Sequence, residues 1–175
     1  FPMEGSTVYA YVELQLEAIF DPSDGMASFS AVLSPNSYVL DKACHLTGGF
    51  ALCYWFGPSP YAGDFVLTLG GYSPYFTPPS YYPQEPRLGF SWALDSSISI
   101  SGGLYFAITP AAVMAGGNLS SVYQSGNLKA WFDMYADIII WYNPFHFIAD
   151  IGINIGASYK LDLLFCSKTF SVELG

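Results

Sequence analysis

Two adjacent stretches constrain this chain more than any other feature. Residues 128–142, LKAWFDMYADIIIWY, set Leu128, Ala130, Phe132, Met134, Ala136, Ile138 and Ile140 at one parity, and Lys129, Trp131, Asp133, Tyr135, Asp137, Ile139 and Trp141 at the other. Residues 144–159, PFHFIADIGINIGASY, do the same: Phe145, Phe147, Ala149, Ile151, Ile153, Ile155 and Ala157 alternate with His146, Ile148, Asp150, Gly152, Asn154, Gly156 and Ser158. Period two marks strands, whose successive side chains point to opposite faces. Joined through Asn143-Pro144, the two stretches make an antiparallel hairpin. Pro144 cannot take the positive φ of a type I′ turn, so a four-residue loop from Tyr142 to Phe145 is expected, with Trp141 opposite His146.

That register places Tyr135 opposite Gly152 and Trp131 opposite Gly156, so that an aromatic ring covers each strand glycine. It also sets Ala136 against Ile151 and Ile138 against Ala149, large against small. Asp137 falls opposite Asp150, a like-charge pairing at about 5 Å between Cβ atoms that is unfavourable unless a proton, cation or water bridges it. A register slipped along the strand instead brings Asp137 beside His146 as a hydrogen-bonded pair. Strands of about 14 residues reach roughly 46 Å, long for an ordinary domain, and imply a strongly bent or extended sheet.

The same period runs through the rest of the chain. In VYAYVELQLEAIF, Val8, Ala10, Val12, Leu14, Leu16 and Ala18 oppose Tyr9, Tyr11, Glu13, Gln15 and Glu17, which predicts a core face and a wet face. Asp21 to Gly25 and Ser34-Pro35-Asn36 are turns around the strand MASFSAVLS. GGFALCYWFG and DFVLTLGGY are nearly continuous apolar runs, as expected of central strands covered on both sides. SPYFTPPSYYPQEP, residues 73–86, is too rich in proline for helix or ladder and is an extended loop. RLGFSWAL and SISISGGLYFAI resume the strands. Thr109 as a cap, Pro110 at a first helical position and Gly116 beyond the end predict one short helix over Pro110 to Ala115. NLSSVYQ and KTFSVELG are further strands. The glycine pairs 48-49, 70-71, 102-103 and 116-117 follow no phosphate-loop pattern and are read as bulges or close sheet contacts. The fold expected is all-β: a mainly antiparallel sandwich or partly open barrel of nine to eleven strands, in a single domain over residues 1–175. The strand unfinished at Gly175 and the start at Phe1 rather than Met suggest a processed piece of a longer β-structured chain.

Composition narrows the function. Hydrophobic residues make up 52% of the chain and charged residues 11%, so many elements carry apolar groups on both faces. A net charge of −9, with Lys42, Arg87, Lys129, Lys160 and Lys168 the only strong bases, leaves no cationic stripe for nucleic acid and disfavours anionic membrane surfaces. The longest apolar runs fall short of the roughly 20 residues of a membrane helix. Cys44, Cys53 and Cys166 show no metal-type spacing; a Cys44–Cys53 bridge is allowed, and buried thiols are the plainer expectation. Asn118-Leu119-Ser120 is a glycosylation acceptor if the chain is secreted, but secreted and cytoplasmic locations both stay open.

No metal-ligand set, cofactor fingerprint or catalytic motif emerges. Cys44-His45 has no partner cluster, and GxSxG is absent from the sequence. The first expectation is a non-enzymatic module that binds an apolar or amphipathic, lipid-like ligand, or packs on itself or on neighbouring β-structure. The second is a lectin-like module. It would use the rings of Tyr75, Tyr81, Tyr82, Trp131 and Trp141 with Asp133, Asp137 and Asn154; the candidate ligand-binding residues for either reading are Tyr75, Phe76, Tyr81 and Tyr82 in the proline-rich loop, which alternatively forms a lid packed on the sheet, and Trp131, Asp133, Asp137, Trp141, His146, Asp150 and Asn154 on the hairpin. A third is an acidic glycosidase using Asp137 and Asp150.

HLTGGFALCYWFGPSPYAGDFVLTLGGYSPYFTPPSYYP, PRLGFSW, TPAAVMAGG, YQSGNLKAWFDMYADIIIW and NPFHFIADIGINIGASY, taken in order, resemble an uncharacterised β-rich domain family of large fungal and bacterial proteins. The resemblance covers roughly residues 36–175. It implies a piece of a longer β-structured polypeptide and brings no activity or catalytic residue with it.

Overall fold

The computed structural model describes residues 9–163 and 166–175. Its strands are β1 (Ala10–Tyr11), β2 (Leu14–Asp21), β3 (Met26–Leu33), β4 (Tyr38–Val39), β5 (Asp41–Thr47), β6 (Gly49–Trp55), β7 (Phe65–Leu69), β8 (Leu88–Ala93), β9 (Ile98–Ile108), β10 (Ala112–Ser125), β11 (Leu128–Tyr142), β12 (Phe145–Leu163) and β13 (Cys166–Leu174). All pairings are antiparallel, in one unclosed 13-stranded sheet. The all-β class holds. The two strands beyond the expected nine to eleven are the two-residue β1 and β4.

The sheet is unclosed and forks. Along one edge of β9, Ser99–Leu104 pair with β8 while Phe106–Ile108 pair with β7. One arm runs β8-β5-β4-β1 and the other β7-β6-β3-β2; from the opposite edge of β9 a meander β10-β11-β12-β13 extends. The chain passes repeatedly between the arms. At Val12-Glu13 the predicted single strand breaks because Ser34 and Ser37 capture the Glu13 backbone: Ser34 N–H donates to Glu13 O at 2.8 Å, and Glu13 N–H donates to Ser37 Oγ at 3.1 Å. At Gly48 the chain leaves β5 and enters β6.

The predicted helix over Pro110 to Ala115 is overturned, and no helix occurs among the described residues. Thr109 does make cap-like bonds, its Oγ1 accepting from Ala111 N–H at 3.2 Å and Ala112 N–H at 3.1 Å. Those bonds close a tight turn instead, and Ala112–Gly116 pair with β11 while Val113–Gly116 pair with β9 as well. Paired on both sides, this short alanine-rich run gains more from the ladder than from its local helical preference.

The hairpin register is the predicted one. Trp141 opposes His146, Asp137 opposes Asp150, Tyr135 opposes Gly152 and Trp131 opposes Gly156. The loop is tighter than expected: Tyr142 and Phe145 pair, and a cis Asn143–Pro144 peptide makes the turn without a positive φ. A Cβ on Gly152 would lie 2.3 Å from the Tyr135 ring and one on Gly156 2.2 Å from the Trp131 ring, so both rings do cover their glycines.

Register and alternation give the sheet two unlike faces. On one, Cys53, Trp55, Val66, Tyr105, Ala107, Ala112, Met114 and Ile139 form the core, roofed by Tyr72 and Tyr82 of the segment joining β7 to β8, with Phe76 and Tyr81 packed against it. The proline-rich segment is therefore a lid. Among the described residues the other face has no such roof: Leu52 (43% exposed), Tyr54 and Leu104 reach solvent, so the described elements cover the central strands on one side rather than two. Likewise Leu14 and Leu16, expected in a core, are exposed because β2 pairs only with β3. Cys44 and Cys53 are buried free thiols, and the Cys166 side chain lies outside the described residues.

At the fork, Gly70 N–H donates to Gly49 O at 2.7 Å, and Gly49 N–H donates to Pro86 O at 3.1 Å. Gly70 has φ +75°, and a Cβ there would sit 2.4 Å from Leu104 O and 2.8 Å from Leu88 N, all backbone. Gly70→Ala should cost about 2–4 kcal/mol, combining left-handed strain with overpacking. Urea titration measures this; a loss below about 0.5 kcal/mol, the range of an ordinary surface change, would show that the fork yields.

Candidate functional site

The hairpin residues singled out in the sequence share the lid face, and the structure joins them into a chain of internal bonds. The Trp141 and His146 rings stack at 4.3 Å and 7°, and His146 Nδ1 lies 2.8 Å from Pro144 O. Asp137 and Asp150 are opposed, but each carboxylate has its own hydroxyl donor. Tyr105 Oη donates to Asp137 Oδ1 at 2.6 Å, and Tyr75 Oη, from the lid, donates to Asp150 Oδ2. Further along, Ser120 Oγ donates to Asp133 Oδ1, Trp131 Nε1 donates to Asn154 Oδ1 at 3.0 Å, and Asn154 Nδ2 donates to Glu173. Polar side chains thus run as a stripe along one face rather than converging on one point.

The lid aromatics are engaged in the same way. Tyr81 Oη donates to Asp64 Oδ2 at 2.6 Å and Tyr82 Oη to Asp64 Oδ1 at 2.8 Å. Tyr81 also stacks on Tyr61 at 3.7 Å, and Tyr82 lies parallel to Trp55 at 5.6 Å. Tyr72 Oη donates to Pro83 O at 2.8 Å. Arg87 closes the lid at the fork: Nη2 donates to Tyr72 O at 2.7 Å, Nη1 to Gly70 O at 3.1 Å, and the guanidinium sits 4.0 Å over the Tyr105 ring. Asp64 and Arg87 are the residues that sequence reading missed. Neither lies in a local motif, since both act on partners that only the fold brings near.

A small cleft of about 120 Å³ remains between lid and hairpin, lined by Pro74, Arg87, Tyr105, Asn118, Tyr135 and Asp137. Among the described residues no group of three or more His, Cys, Asp or Glu is placed to hold a metal ion, and no helix is long and apolar enough to cross a membrane.

The opposite, open face has a different character. From β10 to β13 its positions are Val113, Ala115, Gly117, Leu119, Ser121 and Tyr123, then Leu128 to Tyr142 and Phe145 to Leu161 at the apolar parity, then Lys168, Phe170, Val172 and Leu174. Phe145 is 72% exposed, Ile151 75% and Leu174 70%. Two depressions interrupt it. One of about 600 Å³ has Ala115, Gly117, Ala136 and Ala149 as its floor, with Leu104, Leu119, Met134, Ile138 and Ile151 as walls. The other, about 460 Å³, has Ala130 and Ala157 between Tyr123, Phe132, Ile155, Val172 and Leu174. The large-against-small pairs read from the hairpin register are what hollow the first depression. On β11 and β12 the period-two pattern had disclosed the residues of this face, whereas Val113 and Ala115 of β10 fell within the expected helix, and the exposure of the face was missed.

Tyrosine chemistry records how the lid is held. Bonding to Asp150 pushes the Tyr75 hydroxyl up to about 12, and bonding to Asp64 does the same for Tyr81. Burial, reinforced by the bond to Asp137, raises Tyr105 to about 12; burial first, then Asp64, raises Tyr82 further. These groups are protonated longer in the folded than in the unfolded chain, whose tyrosines ionise near 10. Their stabilisation is therefore intact below about pH 10 and lost as pH climbs towards 12. Ultraviolet titration should show this late-ionising set alongside a falling melting temperature. Asp64→Ala, which leaves the buried Tyr82 hydroxyl only its long 3.5 Å bond to Phe65 O, should cost about 1–3 kcal/mol and open the lid to limited proteolysis; unchanged cleavage would show that Asp64 does not hold it.

No curated protein and no solved structure matches this chain. All of it, residues 1–175, matches the sequence model of a family of unknown function, DUF6603. The chain belongs to the DUF6603 family.

Proposed function

We propose that this chain is a non-enzymatic β-structured binding module whose working surface is the open face of the β9–β13 meander. The observation that carries the reading is the exposure there of large apolar side chains on adjacent strands, among them Ile138, Phe147, Ile151, Ile153, Ile155 and Val172. Together with their neighbours they expose on the order of 1,000 Å² or more, against the 300–600 Å² of the largest apolar patch on a typical monomer. Leaving such an area in water costs about 25 cal/mol per Å². Apolar or amphipathic matter that covers it is bound by that term: a lipid-like ligand, a second copy, or neighbouring β-structure of a larger polypeptide. The lectin and glycosidase readings rest on the lid face, where the aromatics and carboxylates that would serve a sugar are already bonded to each other.

Ile151→Asp tests the reading. Its side chain is 75% exposed, so stability should move by no more than about 1 kcal/mol. Binding of the apolar dye anilinonaphthalene sulfonate, and any self-association seen by light scattering after size exclusion, should both fall. Dye binding and mass that stay the same in the substituted chain would refute the reading.

A further inference from the structure

We infer that the partner of the open face is a second copy of this chain, the two meanders stacked face to face about a two-fold axis that runs between β11 and β12, close to the strand direction. The inference rests on the binding reading above and names the partner.

Register supplies the first argument. A two-fold axis lying between the stacked sheets and along the strands carries β11 of one copy over β12 of the other at the same level, so the same patch serves both sides of the interface. Each β11 side chain then meets the second copy's version of its own cross-strand neighbour. Ala136 and Ile151 are such neighbours, and so are Ile138 and Ala149. Ile151 therefore enters the space over the partner's Ala136, and Ile138 the space over the partner's Ala149, with the reciprocal contacts made at the same time. Ile151, at 75%, is the most exposed large apolar side chain among the described residues. Ala136 and Ala149 belong to the floor of the depression of about 600 Å³. Knob and hollow thus lie side by side on one surface, and the symmetry brings each onto the other.

Twisted sheets pack with their strands about 30° apart, so the overlap is closest near the middle of the strands. Ala136 adjoins the middle of β11, which runs Leu128–Tyr142. The levels that match less well, Ile140 with Phe147 and Ala130 with Ala157, lie towards its ends, where the two sheets diverge.

Area is the second argument. Four strands about 4.8 Å apart and about 14 residues long cover roughly 19 by 46 Å, or about 900 Å². A stable protein–protein interface takes about 800 Å² from each partner, and the β10–β13 face meets that without recruiting the arms.

Charge is the third. The chain carries −9, so two copies repel wherever their acids approach. Asp133, Asp137, Asp150 and Glu173 are all bonded on the lid face. Lys168, towards one end of β13, is the one charged side chain among the described open-face positions from β10 to β13. Stacking through this face keeps those acids on the outer sides of the pair, and its scarcity of polar groups is what interfaces between identical subunits show.

The test is light scattering after size exclusion on the 175-residue chain across a concentration series, where a mass of twice 19.1 kDa is expected at high concentration. Ala136→Ile, which fills the hollow in both copies, should raise the dimer dissociation constant about tenfold. Adding Ile151→Ala moves the knob to β11 and the hollow to β12, and should recover most of that loss, because a face matched against itself tolerates the exchange. Ala136, Ile138, Ala149 and Ile151 are exposed in the single chain, and circular dichroism checks that the variants fold. Should Ala136→Ile misfold, Ala149→Ile with and without Ile138→Ala repeats the comparison one level along. A monomer at every concentration, a dimer indifferent to filling the hollow, or a dimer that the exchange fails to rescue would overturn the inference. If the chain is monomeric but Ile151→Asp still removes dye binding, the open face takes another apolar partner and only the second copy is refuted. If Ile151→Asp removes neither dye binding nor self-association, the binding reading falls as well.

Discussion

The fold depends on one strand accepting two partners along the same edge. β9 passes its hydrogen bonds from β8 to β7 between Leu104 and Phe106, and a sheet can divide there only if the diverging backbones fit together without side chains between them. Gly70 and Gly49 make that possible, and Arg87 binds across the division to the Gly70 and Tyr72 carbonyls and the Tyr105 ring. Although the residue as a whole is exposed, the guanidinium contributes two charge-assisted hydrogen bonds and a cation–π contact, more than a lysine could offer from one position. From that junction the lid returns over the core and both arms take their direction.

What was legible in the sequence follows from the range of the interactions. The β11–β12 hairpin could be read residue by residue, since alternation, a short connection and glycines opposite aromatics are all local signals that agree. The helix over Pro110 to Ala115 was misread for a physical reason: a threonine hydroxyl bonding N–H groups two and three residues on serves a helix cap and a tight turn alike. Only flanking strands decide between them. The fork was not legible, because nothing in Gly70 or Arg87 by itself announces that two strands meet beside it.

The candidate site shows the same division. The stripe Trp131, Asp133, Asp137, Trp141, His146, Asp150 and Asn154 was placed correctly on one face, but its donors Tyr105, Ser120 and Tyr75 come from other strands and the lid. Those donors turn an apparent set of reactive groups into a network of satisfied ones. Conversely, the apolar parity of the hairpin looked like core because burial is the usual fate of such residues. Which face is roofed depends on where the lid lands, and that is settled by the tyrosines at 72, 81 and 82 rather than by the hairpin itself.

The way the strands are strung adds a further consequence, for chain entropy. β9 to β12 are joined by turns of two or three residues, so each new ladder closes a very short loop. The arms differ: β7 reaches β9 across residues 70–97, and β5 reaches β8 across residues 48–87. Loop closure costs more as the loop lengthens, and contacts distant in sequence slow folding. The meander, bearing the whole apolar face from β10 to β12, is therefore the cheaper part to assemble in conformational entropy, while the roofed core needs the distant arms brought together.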